Sequence, residues 1–90
     1  MNYNKLEQKA YSLGASKFGI SERINKRFFV IYHNTYIHFG SKNGNTYIDH
    51  RDKEKRKNWI ARHSQIKNLK GEYVITLKES PSYWSKNLLW

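Results

Sequence analysis

Residues 27–41 read RFFVIYHNTYIHFGS, and this stretch decides the fold. It begins with the strongest strand signal in the chain, because apolar side chains alternate across it. The two faces of this strand hold Phe28, Val30 and Tyr32 on one side and Phe29, Ile31 and His33 on the other. Both sets are largely apolar, so we expect a central strand that is covered on both faces.

A turn at Asn34-Thr35 leads into a returning strand over residues 36–41. Asn tolerates the left-handed conformation of a tight hairpin, whereas Thr suits a type I′ turn poorly, which favours a loop longer than two residues. Further short strands are predicted over residues 16–21, 46–49 and 73–77. The pattern therefore predicts an antiparallel meander of three to five strands.

Helical patterns surround these strands. Residues 4–13 predict a short helix, residues 51–68 a long basic helix capped by Asp52, and Ser80-Pro81 the start of a final short helix. One arc of the long helix, which we expect to pack on the sheet, holds Trp59, Ile60, His63 and Ile66. The fold class is therefore α+β: a small antiparallel sheet with a long basic helix packed on one face and short terminal helices. Residues 1–90 form a single predicted domain.

The composition restricts the function classes. Seventeen Lys and Arg residues against seven Asp and Glu give a net charge of +10 and a pI near 10, which indicates a polyanionic partner, nucleic acid above all. The chain has no Cys, which excludes disulfides, thiolate metal ligands and a thiol nucleophile. The N-terminus has no apolar run, so we expect no secretory signal, and the longest apolar run, residues 28–32, is too short for a membrane span.

Two sets of basic residues are candidates for phosphate contact. The predicted long helix carries one set, and the region before and after the first hairpin carries the other. We predict that nucleic acid, DNA or RNA, contacts Lys17, Arg23, Lys26, Arg27, Lys42, Lys53, Lys55, Arg56 and Lys57. The alternative for the helix is a solvated face whose Lys stems cover apolar surface. Aromatic residues among the cations are typical of single-strand binders, but we favour Phe28 and Phe29 as core residues.

A polar cluster follows the third predicted strand. Asp49, His50, Asn58 and His63 superficially resemble the metal motif of His-Asn-His nucleases. The spacing from His50 to Asn58 leaves no room for the usual loop, and Asn58 points away from His63 on a helical wheel. We therefore predict no catalytic residue, no metal site and no cofactor. The favoured interpretation is a structural polar joint between helix and sheet, formed by Asp49, Arg62 and His63. Two further histidines, His33 and His38, are too few for a strong metal site and indicate an ordinary hairpin surface.

Several blocks of the chain together resemble a family of small basic proteins from large nucleocytoplasmic DNA viruses. The blocks are residues 26–32, 36–40, 47–50, 59–63, 80–85 and 88–90, so that the resemblance covers about residues 16–90. It implies a viral origin and a place in the virion or the host-cell interior, cytoplasm or nucleus. The family has no established activity, so the resemblance transfers no catalytic residue.

These observations favour a small non-enzymatic viral protein that binds nucleic acid largely independently of sequence, because phosphate contacts carry no base information. The alternative is a minor capsid or internal virion protein that meets an acidic virion protein and docks into a neighbour through residues 83–90. A remote alternative is a metal-dependent nuclease that uses His50 and His63. We expect no membrane partner.

Overall fold

The structure, a computed structural model, describes residues 3–90. Its elements in chain order are helix α1 (Tyr3–Ser12), strands β1 (Lys17–Ile20), β2 (Lys26–Tyr32) and β3 (Thr35–Ser41), and helices α2 (Tyr47–His50), α3 (Lys53–His63) and α4 (Pro81–Leu88). The three strands form one antiparallel sheet in the order β1-β2-β3. The predicted α+β class and the meander are therefore confirmed.

One face of the sheet carries the hydrophobic core. Phe28 and Val30 of the central strand are almost fully buried beneath α1 and α4. The core cluster consists of Leu6, Ala10, Ala15, Phe18, Phe28, Val30, Ile37, Phe39, Trp84, Leu88 and Leu89. On the opposite face, Phe29 and Ile31 are only half-buried. The prediction that β2 is covered on both faces is wrong, because α1 and α4 both pack on the same face of the sheet.

The β2–β3 hairpin turns one residue earlier than predicted. Its two turn residues are His33 and Asn34, with φ angles of 49° and 61°. Thr35 instead pairs with Tyr32 as the first residue of β3. A tight type I′ turn needs two left-handed residues, and a β-branched Thr disfavours that conformation. The predicted position and the longer loop are therefore both wrong.

Residues 46–49 form the start of helix α2 and not a strand. The carboxylate of Asp49 accepts hydrogen bonds from the backbone N–H of Thr46 at 2.9 Å and from its hydroxyl at 2.6 Å. The first of these bonds satisfies the N–H of the N-cap residue, and both hold Thr46 against the first turn of α2. Four alternating residues are too few to compete with this capping.

The predicted long helix is shorter at both ends. Arg51 has a φ of 56°, which ends α2 and prevents one continuous helix. The carboxylate of Asp52 then accepts the N–H groups of Glu54 and Lys55 at 3.0 and 3.2 Å, so the predicted cap is confirmed. α3 ends at His63. Packing of this helix across the sheet is not confirmed, because the helices that cover the core are α1 and α4.

The C-terminal third differs from the prediction in one place and agrees in another. Residues Val74–Thr76 form a short 3-10 helix where a strand was expected, and only Tyr73 makes a single bridge, to Lys67. α4 begins as predicted, with the Ser80 hydroxyl accepting the N–H of Ser82 at 3.0 Å. Its Trp84 is fully buried, and the indole N–H donates to the Lys78 carbonyl. The aromatic tail therefore docks onto its own sheet.

None of the helices within residues 3–90 has the length and apolar character needed to cross a bilayer.

The contact between β3 and α4 can be tested by two glycine substitutions. Gly40 and Gly71 have similar positive φ angles, 79° and 81°, so Ala costs similar backbone strain at both. A Cβ at Gly40 lies 2.8 Å from Leu89 Cδ1, whereas nothing lies within 4 Å at Gly71. We expect Gly40→Ala to lower the free energy of unfolding by about 1–3 kcal/mol more than Gly71→Ala, as overpacking does. Urea denaturation measures both, and equal losses would contradict the described packing.

Candidate functional site

An ion pair fixes α2 to the sheet. The guanidinium of Arg27, on β2, donates to both carboxylate oxygens of Asp49, at 2.7 and 2.9 Å. Planar bidentate pairs of this kind are the strong ones, and the two side chains are only 13% and 28% exposed. The hydrogen bond from Arg27 holds the pKa of Asp49 well below its ordinary value; burial opposes this shift and the two bonds from Thr46 support it.

This geometry corrects the predicted polar joint. Asp49 does attach the segment after β3 to the sheet, but its partner is Arg27 and not Arg62. Arg62 is exposed on α3. His63 Nδ1 lies 3.0 Å from the Trp59 carbonyl of its own helix, and its ring stacks on the Trp59 indole at 3.9 Å. Because Arg27 is paired with Asp49, we leave it out of the proposed interface.

Four aromatic rings attach α3 to the C-terminus. The Trp59 indole stacks on Trp90 with ring centroids 5.0 Å apart and planes 11° apart. His63 lies beyond Trp59, and His50 lies beside Trp90 at 5.5 Å. The two histidines are thus separated by two indoles. Within residues 3–90, no three His, Cys, Asp or Glu side chains come together as metal ligands.

A backbone hydrogen bond fixes the orientation of the His50 ring. Its Nδ1 accepts the N–H of Asp52 at 2.9 Å, so the ring proton lies on Nε2. Nε2 is buried and has no hydrogen-bond partner among residues 3–90. His50 therefore supports the link between α2 and α3, and the structure does not bring it together with His63.

The predicted binding residues fall in three places. Lys53, Lys55, Arg56 and Lys57 are exposed on α3; Lys17, Arg23 and Lys26 lie at the ends of β1 and β2; and Lys42 lies in the loop after β3. Lys42 lines a cavity together with Arg27 and Tyr3, and the lysines of α3 do not line that cavity. The structure thus separates the helix set from the sheet set.

Helix α3 presents its cations without burying any residue. Within residues 3–90, the ammonium groups of Lys53, Lys55 and Lys57 have no hydrogen-bond or ion-pair partner. Arg56 differs, because its Nε donates to the Trp90 carbonyl and its Cζ lies 5.1 Å from the centre of the Tyr47 ring. Arg56 therefore orients α3 as well as adding charge to it.

Two further exposed arginines, in and next to α3, were not among the predicted binding residues. Arg51 stands beside Arg56, 5.4 Å from the same Tyr47 ring, and Arg62 is exposed near the end of α3. Both belong to the run of charge from residue 51 onward, which was the available signal.

The open face of the sheet holds the side chains that the prediction placed in the core or left as hairpin surface. Phe29, Tyr36 and His38 lie there together, beside Lys17. The alternation of β2 correctly placed Phe29 and Phe28 on opposite faces. Phe29 was assigned to the core because we expected a second layer to cover its face.

Comparison with known proteins identifies a family but no activity. The family of unknown function DUF5754 matches residues 16–63, just over half of the chain. The matched segment runs from the start of β1 to the end of α3 and contains every predicted binding residue. No curated protein and no solved structure is a significant match.

The Arg27–Asp49 pair predicts a pH-dependent stability. We expect Asp49→Asn to lower the free energy of unfolding at neutral pH by about 1.5–3 kcal/mol, the range for hydrogen bonds to a charged group. The folded-state pKa of Asp49 lies below its ordinary value of 3.8, so the unfolded chain binds the proton first on acidification. The contribution is therefore present above that value and lost as the pH falls below it.

Denaturation of the wild type and Asp49→Asn across acidic and neutral pH measures this difference. Asp52→Asn is the matched control, because Asn caps a helix as well as Asp does. A difference that stays constant as the pH falls would show that Asp49 carries no charge-dependent stabilisation.

Proposed function

The chain belongs to the DUF5754 family, whose function is unknown, and from its own surfaces we propose that it is a non-enzymatic nucleic-acid-binding protein. Binding takes place through phosphates and is largely independent of base sequence. The helix α3 and the cations at the ends of β1 and β2 provide the contacts.

The observation that carries this proposal is the exposure of the Lys side chains of α3. It is rich in Lys and Arg, has only Trp59, Ile60 and His63 half-buried, and keeps three lysines without partners within residues 3–90. A helix of this kind gains little stability from its own surface. Its attachment comes from Trp59, Arg56 and the Asp52 cap, each of which leaves the Lys side chains in solvent.

The arrangement of charge supports phosphate contact. Lys53 and Lys57 are one turn apart on one flank of α3, and Lys55 and Arg62 lie on the other flank. Only Glu54 opposes them within the helix, and it lies in the first turn, where it favours the helix dipole. The net charge of +10 adds a long-range attraction for any polyanion.

The second candidate, a virion structural protein, receives less support from the described residues. Trp84, Leu88 and Leu89 of the proposed docking tail are buried in the core of this chain. Tyr83 and Trp90 are half-buried. A partner therefore meets this protein at its basic surfaces, and the acidic virion protein remains an alternative ligand for them. The viral origin and the location in a virion or host cell stay predictions from the resemblance.

A salt titration tests the proposal. We expect the protein to bind labelled duplex DNA and duplex RNA in fluorescence anisotropy, with an affinity that falls steeply as salt rises, because each phosphate contact releases condensed counterions. Lys53→Gln combined with Lys57→Gln lowers the affinity and reduces the salt slope by about one unit for each lysine that no longer meets a phosphate.

The matched control is Lys9→Gln combined with Lys86→Gln, which changes two exposed lysines on α1 and α4. It alters the net charge by the same amount and leaves α3 intact. Absence of binding at low salt would overturn the proposed function. Equal losses in the two double variants would show that α3 has no special part in it.

A further inference from the structure

The uncovered face of the sheet carries a group of aromatic rings. Phe29 from β2 lies between Gly19 of β1 and His38 of β3, its partners in the strand register. Gly19 makes room for the Phe29 ring, because a Cβ there would lie 2.7 Å from Phe29 Cε1. Tyr36 is 60% exposed on the same face. An exposed Tyr36 beside a half-buried Phe29 on an uncovered sheet face is an available contact surface.

The rings are aligned with one another. The planes of Phe29 and Tyr36 are 28° apart with centroids at 5.5 Å, and those of Tyr36 and His38 are 19° apart with centroids at 6.3 Å. Phe29 and His38, on neighbouring strands, have planes 42° apart with centroids at 5.9 Å, so the three rings form one group across β2 and β3. Tyr36 is the most exposed ring of this group, and exposed aromatic side chains on sheet faces are the groups on which unpaired bases stack.

The position of His38 is fixed by the β1–β2 connection. The Ser21 hydroxyl lies 2.8 Å from His38 Nδ1, and the same oxygen accepts the N–H of Arg23 at 3.1 Å. Burial, together with the charges of Arg23 and Lys26, lowers the pKa of His38. The lowered pKa favours the neutral imidazole, which leaves a flat ring and the nitrogen Nε2 for a ligand.

Positive charge borders the rings. Lys17 lines the same cavity of about 290 Å³ as Phe29, Tyr36 and His38. Arg23, in the connection before β2, and Lys26, the first residue of β2, both act electrostatically on His38. One acid, Glu22, also lines this cavity. Cations next to aligned rings complement a chain that alternates phosphates and planar bases, which is the chemistry of a single nucleic-acid strand.

We propose that this face binds unpaired nucleobases of single-stranded nucleic acid, with Tyr36 and Phe29 stacking on bases and Lys17 and Arg23 contacting the phosphates. The inference rests on the proposed function and adds the class of nucleic acid to it. A duplex keeps its bases inside its own stack, so it engages the cations and not the rings. The protein then prefers single strands through Tyr36 and Phe29.

Anisotropy with a labelled single-stranded oligonucleotide and its duplex at one salt concentration tests the inference. We expect Tyr36→Ala to weaken single-strand binding by about 5- to 150-fold, the effect of losing one base stack, and to leave duplex binding unchanged. Tyr36→Phe keeps the ring and restores single-strand binding. Tyr11→Ala, which removes an exposed tyrosine from α1, is the matched control and has no effect.

A second measurement does not depend on the stability of a variant. Ultraviolet cross-linking of the wild-type protein to a strand that contains 5-bromouracil, followed by mass spectrometry, is expected to mark Tyr36 or Phe29. Cross-links confined to other aromatic residues would overturn the inference, as would equal single-strand affinity in the wild type and Tyr36→Ala. In both cases duplex binding still upholds the proposed function, whereas failure to bind either nucleic acid overturns both.

Discussion

The bidentate pairing of Arg27 with Asp49 determines how the second half of the chain is attached to the sheet. One carboxylate accepts two hydrogen bonds from β2 and two from Thr46, at the start of α2. It therefore closes the loop after β3 and caps the helix that follows. Arg51 then reverses the backbone, and α3 begins. Because α3 buries none of its residues, its place in the molecule depends on this pair and on the stack of Trp59 with Trp90.

A second constraint is that, within residues 3–90, a chain of this length has only two helices, α1 and α4, packed against the sheet. α1 and α4 enclose one face, with Trp84 and Phe28 among the fully buried side chains. The other face stays open, and α3 stays in solvent. These two uncovered surfaces carry most of the cations that we propose for nucleic-acid contact. Their properties differ, since α3 offers charge alone, whereas the open face combines charge with aligned rings.

Local patterns predicted much of the fold. The alternation in β2 and β3 and the Ser80-Pro81 start of α4 each depend on neighbouring residues, and each was found as expected. The failures have physical causes of their own. Four alternating residues at 46–49 also satisfy a capping box, and a left-handed Arg51 divides a helical pattern that looks continuous.

The candidate site was less predictable because it depends on long-range partners. Nothing local indicates that Asp49 pairs with Arg27, twenty-two residues earlier, in preference to the nearby Arg62. Phe28 and Phe29 are the same residue type at adjacent positions. Which of them is core follows only from the side that α1 and α4 cover. The exposed cations of α3, in contrast, followed directly from the charge run, because closely spaced Lys and Arg side chains without acidic partners are almost never buried.

The most direct test of the account is an amide NMR titration of the protein with a short single strand. We predict that the shifts concentrate in α3 and in the open-face residues of β2 and β3, and that α1 changes little. Shifts confined to residues 81–90, or no shifts at low salt, would contradict the central claim that the uncovered basic surfaces bind nucleic acid.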